Sequence, residues 1–329
     1  MNLSAPLARR HIPRNLFVLD LAPRTESIER EVVTGLSRLP KTLPPKLFYD
    51  RRGAELFNAI CSTRAYYPTR TENRILELSA PEIAAAIGLG SVMIEYGAGE
   101  IEKVRHLLQS ARPSMYVALD ISGDQLVRAS TSLAFAYPWL SVVSVIGDYH
   151  AELEAELTLP ERARRIVFFP GSTIGNFEPD DACDFLRRVR ALVGEGGGIV
   201  IGVDLQKSIE VLDLAYNDPQ GYTAAFNLNV LARLNRELDA DFDLSTFAHR
   251  AFYNTERARI EMHLASLREQ RVRVAGRSFS FAAGETIHTE NSYKYTPDGF
   301  VSMARRAGFN ASRMWTDPAR WFGVFFLHN

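Results

Sequence analysis

The chain has 329 residues, 46% hydrophobic and 23% charged, with a formal net charge of −1, the balance of a globular protein long enough for two lobes. A charge so near zero excludes the footprint of a nucleic-acid binder or an anionic-membrane binder. No apolar run approaches the ~18 residues of a membrane span, and two cysteines, Cys61 and Cys183, build neither a disulfide framework nor a four-ligand zinc site, so a reducing cytoplasm is expected.

The opening segment MNLSAPLARRHIPRN is basic and lacks an apolar signal core, so residues 1–24 are expected to be a flexible arm. Apolar residues at helical spacing (Ile28, Val32, Val33, Leu36) predict an amphipathic helix over 25–39. Pro44-Pro45 then breaks it, Phe48 and Tyr49 form an aromatic pair, and a helix restarts near Ala54. Tyr66 and Tyr67 precede Pro68, with a further helix opening over Thr71 to Ile75. Two tyrosine-bearing turns suit a substrate wall. For any single tyrosine, half-buried packing with a wet hydroxyl is the better reading.

The stretch SVMIEYGAGEIEK, from Ser91 to Lys103, reads as a strand, a glycine turn at Gly97 and Gly99, and a helix, which is the form of a nucleotide-cofactor entrance. A GxG alone also fits an ordinary turn. A dinucleotide loop would place a third glycine at position 102, where this chain has Glu102. Glu100 and Glu102 would repel a pyrophosphate, so a ligand without phosphates fits better, and S-adenosylmethionine, a cationic sulfonium with ribose and adenine, is one. The next strand, MYVALD, ends at Asp120, 23 residues after Gly97, close to the spacing of an acid that accepts from ribose hydroxyls. A third strand ends at Asp148 and Tyr149, an acid and an aromatic ring suited to an adenine. VFF runs into the GSTIGN turn, and GGGIVIGVD ends at Asp204. This alternation predicts a doubly wound parallel sheet with its polar residues at the carboxyl edge.

Beyond Asp204 two helices broken at Asp218-Pro219 lead into strand-rich sequence with alternation in IEMHLASL and VRVAGRSFSF, a smaller α+β insertion. Thr296 and Pro297 open a last helix as N-cap and first position. That helix and a final strand pair are what class I methyltransferases add to a Rossmann-like core. The expected division is 25–70, 90–206 and 295–329 as the core, with 71–89 and 207–294 as the substrate-binding domain.

Hydrolase signatures are absent, and the seven histidines show no pair at ligand spacing, so no metal is expected. Methyl transfer from a sulfonium needs neither; it needs placement and the exclusion of water. The polar residues placed to orient an acceptor are Tyr49, Tyr66, Asn176, Tyr216, Glu290 and Ser292.

The segments PPKLFYD, YYPTRTE, IEYGAGEIEK, GSTIGN, GYTAAFNLNVLARLNRELDADFD, RIEMHL and FAAGETIHTENSYKY, in this order, resemble the histidine-specific S-adenosylmethionine methyltransferases over nearly the whole chain. The resemblance implies trimethylation of the α-amine of L-histidine to hercynine, the first step of ergothioneine biosynthesis; separately, a monomer is expected. It implies a donor site of Gly97, Lys103 (reaching the donor carboxylate), Asp120 (ribose), and Asp148 with Tyr149 (adenine). On the acceptor side it implies Tyr66 against the substrate, Asn176 and Tyr216 on the α-carboxylate, and Glu290 with Ser292 on the imidazole. Met262 would pack beside the ring and Tyr49 near the amine, relaying its proton. An acceptor that is another amino acid or a histidine-derived metabolite, a non-catalytic binding protein, and a dinucleotide oxidoreductase are the rival readings; Glu102 speaks against the last.

Overall fold

The computed structural model describes residues 13–21, 25–147, 159–160 and 162–328. The first half of the chain forms strand β1 (Leu16–Asp20), helix α1 (Thr25–Leu36), β2 (Lys41–Thr42), α2 (Arg51–Ser62), α3 (Tyr67–Ile87), β3 (Val92–Tyr96), α4 (Arg105–Ala111), β4 (Met115–Asp120), α5 (Gly123–Ala136), β5 (Ser141–Ile146) and β6 (Arg165–Phe169). The second half forms α6 (Pro179–Val193), β7 (Gly198–Asp204), α7 (Ile209–Tyr216), α8 (Tyr222–Glu237), β8 (Phe247–Asn254), β9 (Arg259–Ser266), β10 (Gln270–Val274), β11 (Arg277–Phe281), β12 (Thr286–Tyr293), α9 (Pro297–Arg306), β13 (Ala311–Thr316) and β14 (Phe322–His328).

Every residue of β3 is buried, as befits a strand covered on both faces. Val92, Ile94 and Tyr96 pack with Phe169, Phe185 and Phe300 on one side; Met93 packs with Leu76, Leu107 and Phe168 on the other. Among the described residues this strand sits inside an eight-stranded sheet in the order β1, β5, β4, β3, β6, β7, β14, β13. The first six run parallel, and β14 enters antiparallel between β7 and β13. The order of connection reverses between β3 and β6, which opens a crevice at their carboxyl ends. This is the class I methyltransferase core.

The inserted lobe holds a second sheet, β2, β12, β9, β8, and the hairpin β10–β11. Its core draws on Leu56, Phe226, Val230, Met262 and Ile287. The backbone of Tyr295, just past β12, bonds both ways with the chain leaving β7: its N–H donates to Asp204 O at 3.1 Å and its carbonyl accepts from Gln206 N at 2.9 Å. The lobe is thereby sewn to the carboxyl edge of the main sheet.

Two expectations shift. Residues 16–20 lie within the arm expected to be flexible, yet they pair with β5 as a parallel edge strand, and Asn15 Nδ2 donates to the carbonyls of Ala134, Tyr137 and Leu140. LFVLD has the apolar, β-branched and aromatic residues of a strand, and its pairing partner lies more than a hundred residues away in β5, beyond the reach of local pattern. Residues 1–12 and 22–24 lie outside the described residues. The lobe boundaries also differ from the expected division. Ile75, Leu76 and Ile83 of α3 pack on the main sheet with Phe322 and Val324, whereas Val32, Leu36, Phe48 and Ile60 share the lobe's core. Periodicity reveals which face of a helix is apolar but not which partner covers it.

Candidate active site

At the donor edge, Gly97 and Gly99 adopt positive φ, 69° and 50°, a conformation glycine takes without strain. A Cβ at either position would enter open space, so the loop presents bare backbone to the crevice. Asp120 at the end of β4 ties this loop down: Oδ2 accepts from Gly99 N at 2.9 Å and Oδ1 from Ser122 N at 2.8 Å. Each oxygen keeps a second lone pair. Lys103 pairs with Glu72 at 2.6 Å, and Glu72 in turn accepts from Gly171 N at 2.9 Å. Asp148 and Tyr149 lie outside the described residues. A cavity of ≈570 Å³ beside this edge is lined by Tyr49, Asn58, Glu100, Ser122 and Gly123 among others.

Glu72 was not among the residues singled out from sequence. Its signal was a charge on the apolar stripe Pro68, Glu72, Ile75, Leu76 of α3, where a buried carboxylate needs a partner. Glu95, on the buried core strand, is a second such group. Burial raises its carboxyl to about 8 against the opposing pull of Tyr116, whose hydroxyl donates at 2.5 Å, and of Lys103.

On the acceptor side the rings form a chain. Tyr49 meets Phe57 edge-on at 6.0 Å, Phe57 meets Tyr66 at 6.2 Å, and Tyr66 meets Tyr216 at 6.2 Å. Tyr216 bonds Ser292 Oγ at 2.8 Å, so two residues assigned to different ends of a substrate touch one another. Met262 is 2% exposed and stands opposite Glu290 in the β9–β12 register, which shifts between His288 and Glu290. Such a bulge re-aims a side chain. Among the described residues nothing hydrogen-bonds the Glu290 carboxylate. Burial raises it to about 7, with Lys294 pulling the other way. Burial holds the phenols of Tyr66 and Tyr216 above their ordinary range, and the nearby charge of Glu290 adds to this.

Asn176 closes the short 3-10 turn Thr173–Asn176 and shares a second cavity, ≈520 Å³, with Glu290, His288 and Arg259. A Cβ on Gly175 would stand 2.8 Å from Tyr293 O, which is why the GSTIGN turn can lie against β12. The predicted residues therefore fall into two cavities, Tyr49 with the donor edge and Asn176 with Glu290, while Tyr66 and Tyr216 are joined to Tyr49 and Ser292 by ring contacts and a hydrogen bond.

Asp204, Lys207, Tyr67 and Lys294 form a buried network behind these groups. Asp204 pairs with Lys207 at 2.6 Å and Lys294 at 2.9 Å, and Tyr67 donates to it at 2.7 Å. Burial alone would raise the Asp204 carboxyl, but the two ammonium groups more than reverse it. Burial lowers Lys207 to about 8 against the attraction of Asp204. Sequence spacing gave no sign that Lys294 and Asp204, 90 residues apart in the chain, would meet.

Among the described residues, Glu261, His263 and His288 bring ligand-type atoms within 4.8 Å of one another. The two imidazoles stack at 4.6 Å with planes 17° apart, so their in-plane lone pairs do not converge, and Glu261 already holds Arg259 at 2.8 Å. The arrangement fits a stacked, hydrogen-bonded sheet surface better than an ion.

The family model described as "Histidine-specific methyltransferase, SAM-dependent" matches residues 28–329. The chain belongs to this family. Within it, the histidine N-alpha-methyltransferase of Mycolicibacterium smegmatis is 41% identical over 305 residues, spanning 91% of this chain and 94% of that protein. The protein of the same name from Mycobacterium tuberculosis is 39% identical over 304 residues, with the same coverage. Ergothioneine biosynthesis protein 1 of Neurospora crassa is 29% identical over 317 residues, 92% of this chain and 35% of that longer protein. Among solved structures, the CcbJ methyltransferase of Streptomyces caelestis superposes with a TM-score of 0.43 at 17% identity, over 76% of this chain and 89% of that one. As a histidine-specific methyltransferase the chain is an enzyme that takes its methyl from S-adenosylmethionine. The open glycine loop and the second lone pairs of Asp120 suit that donor's ribose and methionine portions. No helix among the described residues is long and apolar enough to cross a membrane.

Proposed function

We propose that this methyltransferase transfers three methyl groups to the α-amine of L-histidine, giving hercynine, the first step of ergothioneine biosynthesis. The observation that carries the reading is Glu290: a half-buried carboxylate, without a hydrogen-bond partner among the described residues, set two residues from Ser292 on one strand. A carboxylate that a bound substrate cuts off from water needs a donor, and an imidazole N–H supplies it. The two mycobacterial relatives, named for histidine N-alpha-methylation at 41% and 39% identity, support it.

S-adenosylmethionine supplies an electrophilic methyl on a sulfonium. The protein's groups do the rest. Asp120 accepts from the ribose hydroxyls, Gly97 offers its backbone, and Lys103, already oriented by Glu72, extends to the donor carboxylate. Asp148 and Tyr149 are assigned the adenine from sequence. Asn176 and Tyr216 take the substrate carboxylate, Met262 packs against the ring, Tyr66 lays its face beside the amine, and Tyr49 relays the amine proton outward. Tyrosine faces also hold the methylated, cationic intermediates, by about 0.5–2 kcal/mol. The protein works as a monomer in the cytoplasm, where Cys61 and Cys183 stay reduced; both are free here.

Incubation with L-histidine and S-adenosylmethionine, followed by mass, tests the reading directly. Products heavier by one, two and three methyl groups are expected, and their absence ends the proposal. A wider acceptor range is the second reading, favoured by the 28% identity to the L-tryptophan methyltransferase of Psilocybe serbica. In that case Glu290→Ala would leave activity on histidine intact.

A further inference from the structure

Behind the acceptor groups stands Lys294, 2% exposed. Its ammonium has three protons and three acceptors: Ser292 Oγ at 2.7 Å, Asp204 Oδ2 at 2.9 Å and Tyr216 Oη at 3.1 Å. An ammonium has no lone pair and can only donate, so both hydroxyl oxygens act as acceptors on their lysine side. The 2.8 Å bond between Tyr216 and Ser292 then consumes one of the two hydroxyl protons. One proton remains. If Tyr216 donates to Ser292, the serine proton is left uncommitted; if the bond runs the other way, the tyrosine proton is.

The lysine is itself held. Asp204 ends the central strand β7, its N–H donates to Ser172 Oγ at 2.9 Å, and its carboxylate keeps Tyr67 and Lys207. Besides the backbone bonds at Tyr295, the end of β7 thus reaches two residues of the acceptor set, Tyr216 and Ser292, through the Lys294 ammonium group.

We propose that Lys294 is the positioning residue of the acceptor pocket, locking Tyr216 and Ser292 into a unit that offers the bound amino acid one uncommitted proton beside the proton-accepting Glu290 carboxylate. This rests on the histidine reading. With the tyrosine proton free the pair serves the substrate carboxylate beside Asn176; with the serine proton free it serves the unprotonated imidazole nitrogen, beside the ring N–H that Glu290 accepts, and leaves the carboxylate to Asn176.

Calorimetry of L-histidine in the presence of S-adenosylhomocysteine separates the outcomes. If the wild-type protein binds no histidine, the histidine reading falls and the positioning role with it. Given wild-type binding, Lys294→Met is expected to weaken histidine by at least about tenfold, the scale of a lost charge-assisted bond, with S-adenosylhomocysteine bound as before. Asp204 keeps Lys207 and Tyr67 in that variant. In a Ser292→Ala, Tyr216→Phe background, which lacks both oxygens, Lys294→Met is expected to change histidine affinity little. Equal losses in both backgrounds, or parallel loss of both ligands, overturn the proposal and leave Lys294 a structural residue. For the case that Lys294→Met fails to fold, the wild-type chain labelled with ¹⁵N-lysine at its five lysines gives a direct readout. With S-adenosylhomocysteine already bound, histidine is expected to shift a solvent-protected ammonium signal; signals that all stay put overturn the proposal.

Discussion

Lys103 leaves the donor loop to meet Glu72 on α3 at 2.6 Å, and the same carboxylate receives the N–H of Gly171 at the end of β6. One buried group thus joins the two loops on either side of the crevice. Removing its charge frees Lys103 to swing away from the donor carboxylate it is proposed to reach. Glu72→Gln is expected to weaken S-adenosylhomocysteine by about tenfold, with histidine affinity in its presence little altered. An unchanged donor dissociation constant in calorimetry would show that Lys103 needs no such partner.

Room for Glu72 is made by Gly202 on β7, where a Cβ would collide with the Glu72 carboxylate. Gly202→Ala is therefore an overpacking change and is expected to cost about 1–3 kcal/mol in chemical denaturation. Combined with Glu72→Ala, most of that added cost should vanish. Persistence of the full cost in the double variant would place the clash elsewhere.

Glu290 is expected to decide the acceptor. Glu290→Ala should lower kcat/KM for histidine by ~10²-fold, since a hydrogen bond to a charged group contributes about 1.5–3 kcal/mol. Donor affinity should hold. Steady-state kinetics at saturating S-adenosylmethionine measure it, and a loss under threefold would detach the carboxylate from the ring.

The same residue sets a pH signature. Its carboxyl moves from 4.5 to about 7 on folding, so between those values the folded chain binds a proton that the unfolded chain has released. Its contribution is thus full below 4.5 and is lost as pH rises through about 7. Glu290→Gln abolishes the step. The thermal midpoint of the variant relative to wild type is expected to be higher at pH 8 than at pH 5; a constant difference would show that Glu290 titrates normally.

Asp50 caps α2, accepting from Gly53 N at 2.7 Å, and also holds Asn229 Nδ2 at 2.8 Å and Arg236 at 2.7 Å. Burial would raise this carboxyl, but the Gly53, Arg236 and Asn229 hydrogen bonds bring it below its ordinary value. Asp50→Ala is expected to cost about 1–2 kcal/mol, the worth of a cap, in urea denaturation. Asp50→Asn, which still accepts from Gly53, should recover part of it.

Local chemistry made much of this legible. The glycine loop after β3 and Asp120 at the next strand end follow from residue type and spacing. So does the cap of α9, where Thr296 Oγ1 accepts from Gly299 N at 3.1 Å. The motifs from PPKLFYD to TENSYKY marked the family because they are contiguous stretches of chain. Less legible was anything resting on a partner distant in sequence: the edge strand at Leu16, the seat of α3 on the main sheet, the ion pair of Glu72 with Lys103.

By itself, then, the order of residues determined the alternating strands and helices, the glycine loop after β3 and the polar residues proposed to orient an acceptor, since these depend on periodicity and on neighbours a few positions away. Folding in three dimensions decided that Tyr216 and Ser292 share one bond, that Lys294 and Asp204 stand behind them, and that Glu290 sits on a bulge without a hydrogen-bond partner among the described residues. Those facts depend on which faces bury against each other. A buried charge finds its partner across space, at whatever separation along the chain the packing brings within 3 Å.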